Sequence, residues 1–120
     1  MTQPSLPDLS QKLAEFARLR DWEQFHSPKN LAMALAGESG ELLEHFQWLT
    51  EEASANLTAE KKEAVAFEMA DILIYLLRLG ERLDIDVQDA AYRKMAINEA
   101  RFPIEKVKGL AGRGEDFDSA

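Results

Sequence analysis

The stretch Ala59 to Leu83, AEKKEAVAFEMADILIYLLRLGERL, constrains the fold more than any other part of this 120-residue chain. Thr58 stands before it as a helix cap, and no proline interrupts it. Its apolar residues fall on nearly every side of a helical wheel. Such a helix is stable only when other elements, or another copy of the chain, cover it.

The rest of the sequence offers helices to do the covering. Asp8 can cap a first helix in which Leu9, Leu13, Phe16 and Ala17 recur at helical spacing and which ends near Arg20. Asp21 to His26, DWEQFH, reads as a connection rich in aromatics. Ser27 followed by Pro28 starts a second helix, expected to run to about Thr50, before EEASANLT breaks the pattern. Asp86 with Asp89 three residues on opens a fourth helix that ends before Pro103. No segment alternates like a strand. The expectation is an all-α chain: a flexible leader over 1–7, a helical domain over 8–103 forming a four-helix bundle, and a mobile acidic tail over 104–120.

Composition removes several chemistries. Apolar residues make up 46% and charged residues 30%, a balance that folds rather than one that stays disordered. The net charge of -8 argues against a nucleic-acid polymer as partner, because such binding draws on clustered cations. A small anion remains possible if a metal ion supplies positive charge. Without cysteine there is no disulfide framework, thiolate metal site or thiol nucleophile. No run of about 18 apolar residues and no secretory pattern is present, so the expected location is the cytoplasm, without membrane contact.

Carboxylates sit where they should not. At 100° per residue, Leu31, Ala34, Leu35, Leu42 and Leu49 form the apolar stripe of the second helix, and Glu38 and Glu41 fall inside it. In the third helix, Glu68 and Asp71 share a face with Ala64, Val65, Ile72, Tyr75 and Leu79. Burying an unpaired charge costs several kcal/mol or forces neutralisation, so these acids need partners. Acids three apart on a helix have Cβ atoms roughly 5–6 Å apart, and each pair can reach one ion. Two facing pairs make an all-oxygen site suited to Mg²⁺, which keeps positions for water and substrate phosphates.

The alternative is that Lys or Arg pairs with the acids inside the bundle. On this reading of the sequence the stripe of Glu38 holds no basic residue, and only Lys61 and Arg82 stand near the ends of the other. A di-iron bundle is disfavoured, because it needs Glu-x-x-His pairs on two helices and none occurs here. Trp22, Phe25, Trp48 and Tyr75 lie near the acids in sequence and can stack on a planar base, or simply fill the core. His26 can be a ligand contact or a local loop partner. Lys94, Asn98 and Arg101 share one face of the fourth helix and can meet a triphosphate or plain solvent.

Taken together, RDWEQFHSPKNLAMALAGESGELLEHFQW, EMADILIYLL and KMAINEARFP closely resemble the MazG-like pyrophosphohydrolases, in particular the dCTP pyrophosphatase branch. The likeness runs from about Leu9 to Pro103. It implies hydrolysis of a (deoxy)nucleoside triphosphate, dCTP or a modified dCTP in that branch, to monophosphate and pyrophosphate. It implies Mg²⁺, with Mn²⁺ as a substitute, on Glu38, Glu41, Glu68 and Asp71. It places the base among Trp22, Glu23, Gln24, Phe25 and His26, with Trp48 and Tyr75 nearby, and puts Lys94 and Asn98 near the substrate. It further implies a homo-oligomer, a tetramer built as a dimer of dimers, and a house-cleaning role in the nucleotide pool. The first helix departs from the pattern: it offers Lys12 and Leu13, and no histidine for a base contact that some relatives make.

Two rivals stand beside this expectation. One is a non-catalytic helical module whose acids bind a metal or a basic partner. The other is a hydrolase of a different diphosphate-linked metabolite.

Overall fold

The computed structural model describes residues 5–112, and among them every regular element is helical. The elements are α1 (Leu6–Leu19), a 3₁₀ turn (Glu23–Phe25), α2 (Pro28–Glu44), α3 (Glu51–Ser54), α4 (Ala59–Arg82), α5 (Val87–Arg101) and α6 (Ile104–Val107). The expected all-α class is what the chain adopts. The leader and tail expected at 1–7 and 104–120 fall partly on residues 1–4 and 113–120, outside the described residues. The remainder of each contains helix: α1 begins at Leu6, and α6 follows Pro103.

The chain divides into two compact units at Ile85 and Asp86. In the first, α4 packs along α2 and against α1. Leu31 of α2 is 1% exposed and is buried with Ala17 of α1 and Val65 and Leu77 of α4. This core is thin. Phe67 and Met69 of α4, Met33 and Leu43 of α2 and Leu19 of α1 all stay exposed. The all-round apolar character of α4 is therefore only partly covered within one chain. The second unit holds α5, capped by Asp86 accepting from the Asp89 amide at 3.0 Å, and α6.

Caps set the boundaries, and two differ from expectation. Ser5, not Asp8, caps α1: its hydroxyl accepts from the Asp8 amide, and the Asp8 carboxylate accepts from the Ser5 amide at 3.1 Å. Pro7 tolerates this position because it has no N–H to leave unsatisfied in the first turn. At the other end of α2, the helix stops at Glu44 rather than near Thr50. The His45 and Phe46 amides bond back three residues, tightening the last turn, and Thr50 caps α3 through the Ala53 amide at 3.1 Å. Thr58 caps α4 and Ser27 caps α2, as their sequences require.

α1 and α4 end in the same way. Trp22 N–H reaches back to the Ala17 carbonyl at 2.9 Å and Asp21 N–H to that of Arg18 at 3.1 Å, with Asp21 at φ 55°. In α4 the corresponding bonds run from Ile85 to Gly80 at 2.8 Å and from Asp84 to Glu81 at 3.2 Å, with Asp84 at φ 56°. Both are Schellman closures with aspartate in the left-handed position that glycine usually takes. The first turns the chain sharply, so that Trp22 comes back over α1.

Candidate metal centre and the adjoining cavity

Helix spacing puts Glu38 and Glu41 on one face of α2, and Glu68 and Asp71 on one face of α4. The packing of α2 on α4 brings the two faces together. One carboxylate oxygen each from Glu38, Glu41 and Glu68 lies within 4.8 Å of the others, close enough to hold one metal ion. Asp71 stands beside them: it shares a cavity wall with Glu38, and its charge acts on the Glu38 carboxyl.

Electrostatics show the cost of this convergence. The Glu38 carboxyl is pushed up to about 7, first by burial, then by hydrogen bonding to Glu41 and Glu68 that requires a proton, then by the charges of Glu41 and Asp71. Oε2 of Glu38 and Oε2 of Glu68 are buried with no hydrogen-bond donor. Carboxylate oxygens only accept, so such a group needs a proton or a cation. An all-oxygen donor set with orphaned buried acceptors fits a hard divalent ion.

Against the acids lies a cavity of about 390 Å³, lined by Leu13, Phe16 and Ala17 of α1, Trp22 and His26 of the loop, Glu38 of α2, and Asp71, Ile74, Tyr75 and Arg78 of α4. That volume is in the range of small-molecule sites. Its aromatic wall is interlocked: Phe16 and Trp22 meet edge-on at 5.7 Å, and Trp22 and His26 at 6.3 Å. The Arg20 guanidinium covers the Phe16 ring at 3.5 Å. The result is one acidic end and one aromatic end in a single hollow.

Of the residues expected from sequence, the structure gathers Glu38, Glu41, Glu68, Asp71, Trp22, His26 and Tyr75. Glu23, Gln24 and Phe25 belong to the 3₁₀ turn but do not line the cavity. There the Gln24 amide is held by Asp21 and the Phe25 carbonyl accepts from Asn30. Trp48 is 88% exposed beyond the end of α2 and is not a cavity residue. Lys94 and Asn98 sit on α5 in the second unit, Lys94 exposed and Asn98 half-buried.

Arg78 is a cavity residue that sequence periodicity had not singled out. It is 3% exposed, donates to Glu81 Oε2 at 2.9 Å, and lines the cavity. The reading of α4 as carrying basic residues only at Lys61 and Arg82 is thereby corrected. The signal was present: Arg78 stands seven residues after Asp71 and three after Tyr75, hence on the same face. The contribution of α1 to the cavity had no comparable signal, because Leu13, Phe16 and Ala17 read as ordinary core.

The MazG-like family model matches residues 34–117, which contain all four acids. The chain belongs to the MazG-like family. Among relatives of this MazG-like chain, dCTP pyrophosphatase 1 of Bos taurus is 43% identical over 118 residues, covering 97% of this chain and 70% of its own. dCTP pyrophosphatase 1 of Homo sapiens is 46% identical over 103 residues, covering 84% of this chain and 61% of its own. A crystal structure of a pyrophosphatase from Archaeoglobus fulgidus superposes with a TM-score of 0.78 at 38% identity, covering 86% of this chain and 96% of that one. The aromatic loop at Trp22–His26 precedes the family match, yet lies within the span shared with the bovine relative.

Proposed function

We propose that this MazG-like chain is a nucleoside triphosphate pyrophosphohydrolase that converts a deoxynucleoside triphosphate, dCTP or a modified dCTP, to the monophosphate and pyrophosphate. The observation that carries the reading is the adjoining of three convergent carboxylates, with Asp71 beside them, and an aromatic-walled cavity of about 390 Å³. The names of the relatives supply the substrate.

In this reading Glu38, Glu41, Glu68 and Asp71 hold Mg²⁺, with Mn²⁺ as substitute. The ion supplies charge neutralisation for the triphosphate and acidifies water. Trp22 and Tyr75 flank the base, offering ring faces to which any base can stack. One of the four carboxylates would accept the proton of the attacking water. By the family resemblance Lys94 and Asn98 supply donors to the phosphates, and Trp48 contacts the substrate in the assembled oligomer. The exposed apolar residues of α1, α2 and α4 favour a homo-oligomer, a tetramer as a dimer of dimers. Among the described residues no helix is long and apolar enough to cross a membrane, which is compatible with a cytoplasmic place in nucleotide-pool maintenance.

The test is pyrophosphate release from a panel of canonical and 5-modified dNTPs and NTPs, with Mg²⁺ and with chelator. Metal-dependent release ranked highest for dCTP or a modified form is the expected result. No release from any nucleotide, by protein shown to be folded, would reject the reading.

A further inference from the structure

His26 is held to α4 in two separate ways. The Arg82 Nε donates to the His26 main-chain carbonyl at 3.1 Å. The Arg78 Nη2 faces the ring nitrogen Nδ1 at 3.4 Å. The first contact anchors the loop, and the second acts on the imidazole alone. A guanidinium has donors and no acceptor, so Nδ1 must take the accepting role. The proton of a neutral ring then resides on Nε2.

Arg78 is well placed to impose this. Its guanidinium is buried, and its Nη1 is fixed from the other side by Glu81 Oε2 at 2.9 Å. The ring meets Trp22 edge-on at 6.3 Å and borders the same cavity as Arg78. The charged groups around it are Arg78 and Arg82 of α4 and Glu23 of the 3₁₀ turn. Burial, then the two guanidiniums, push the imidazole below its ordinary value, with Glu23 opposing.

We propose that Arg78 is a positioning residue: it holds His26 as the neutral Nε2–H tautomer, so that the cavity offers a hydrogen-bond donor to an acceptor atom on the substrate's base. Cytosine supplies such acceptors in its carbonyl oxygen and its unprotonated ring nitrogen. The identity of the ligand rests on the nucleotide reading above, whereas the state of the ring does not.

Long-range ¹H–¹⁵N spectra of the ligand-free chain between about pH 5 and 8 test the ring directly. The expected pattern is a protonated Nε2 and a bare Nδ1 at neutral pH, with a midpoint below the ordinary value of about 6.5. A ring protonated at Nδ1, or charged at pH 7, overturns the proposal whether or not any nucleotide is hydrolysed. Arg78→Met keeps the length and apolar stem of the side chain, and leaves Arg82 to hold the loop. It should raise the His26 midpoint, and raise KM for dCTP about three- to tenfold, as for one weakened hydrogen bond, with kcat within about twofold. At saturating Mg²⁺ its KM should also gain a pH dependence near 6.5 beyond that of the parent chain. Arg82→Ala should leave the tautomer unchanged. An Arg78→Met chain with the parental midpoint and KM rules the role out. If the parent chain hydrolyses no nucleotide, the functional reading fails and the spectra alone decide the action of Arg78 on the ring.

Discussion

Glu38 and Glu68 approach one another from two different helices, each burying an Oε2 atom that has no donor. Two acceptor-only groups facing each other repel unless something positive lies between them.

The pH dependence of the metal-free chain should carry the mark of Glu38. Its carboxyl rises from the ordinary 4.5 to about 7 on folding, so the folded state binds more protons than the unfolded between those values. Stability therefore falls as pH rises through that window. Thermal melts in chelator should show the fall, Mg²⁺ should reverse it above pH 7, and Glu38→Gln should flatten it. A melting temperature that rises steadily from pH 4.5 to 7 in chelator would contradict the assignment.

Removing single ligands should stop turnover without unfolding the chain. Glu41→Gln and Asp71→Asn replace a charged oxygen with a weak amide ligand, and each should lower Mg²⁺-dependent kcat/KM by about a hundredfold or more. Circular dichroism should stay helical. Near-parental rates in both variants would remove these residues from the centre.

The two tryptophans should separate. Trp22 lines the cavity, so Trp22→Ala should raise KM by roughly ten- to a hundredfold through lost stacking. Trp48, exposed in the single chain, should affect KM only in the assembled state. Measuring KM across protein concentrations decides this. A Trp48→Ala effect that is constant down to the dissociated chain would place Trp48 in the site of its own subunit.

Association should be driven by the uncovered faces. Phe67 is 63% and Met69 57% exposed, and Phe67→Glu with Met69→Glu should dissociate the assembly. Sedimentation should give about four times the 13.5 kDa chain mass for the parent and a smaller species for the variant. A parent that sediments as a single chain would refute the oligomer.

Asp84 holds φ 56° at the end of α4, where glycine carries no steric penalty and an acid faces the negative helix terminus. Asp84→Gly should stabilise the chain by about 0.5–1 kcal/mol in urea unfolding. Loss of stability would mean that the Asp84 side chain holds a contact of its own.

Much of the candidate site was legible in the sequence. Capping residues Ser27, Thr58 and Asp86, and the acids placed inside apolar stripes, follow from local rules: a cap is chosen within three residues, and a helical face repeats every three or four. Those rules erred where two local solutions competed. Ser5 and Asp8 can each cap α1, and their reciprocal hydrogen bonds choose Ser5. Thr50 prefers to start α3 rather than extend α2.

The tertiary structure decided what belongs together. Periodicity shows that Glu38 and Glu68 face inward, but only the packing of α2 on α4 makes their oxygens neighbours. The left-handed closure at Asp21 returns Trp22 to α1, which makes Phe16 and Ala17 cavity walls and leaves Phe25 outside. Arg78 acquires its meaning through His26, fifty-two residues away. Sequence fixes propensity and face because both depend on near neighbours. Contact between faces depends on how whole helices bury one another, and no local rule carries that information.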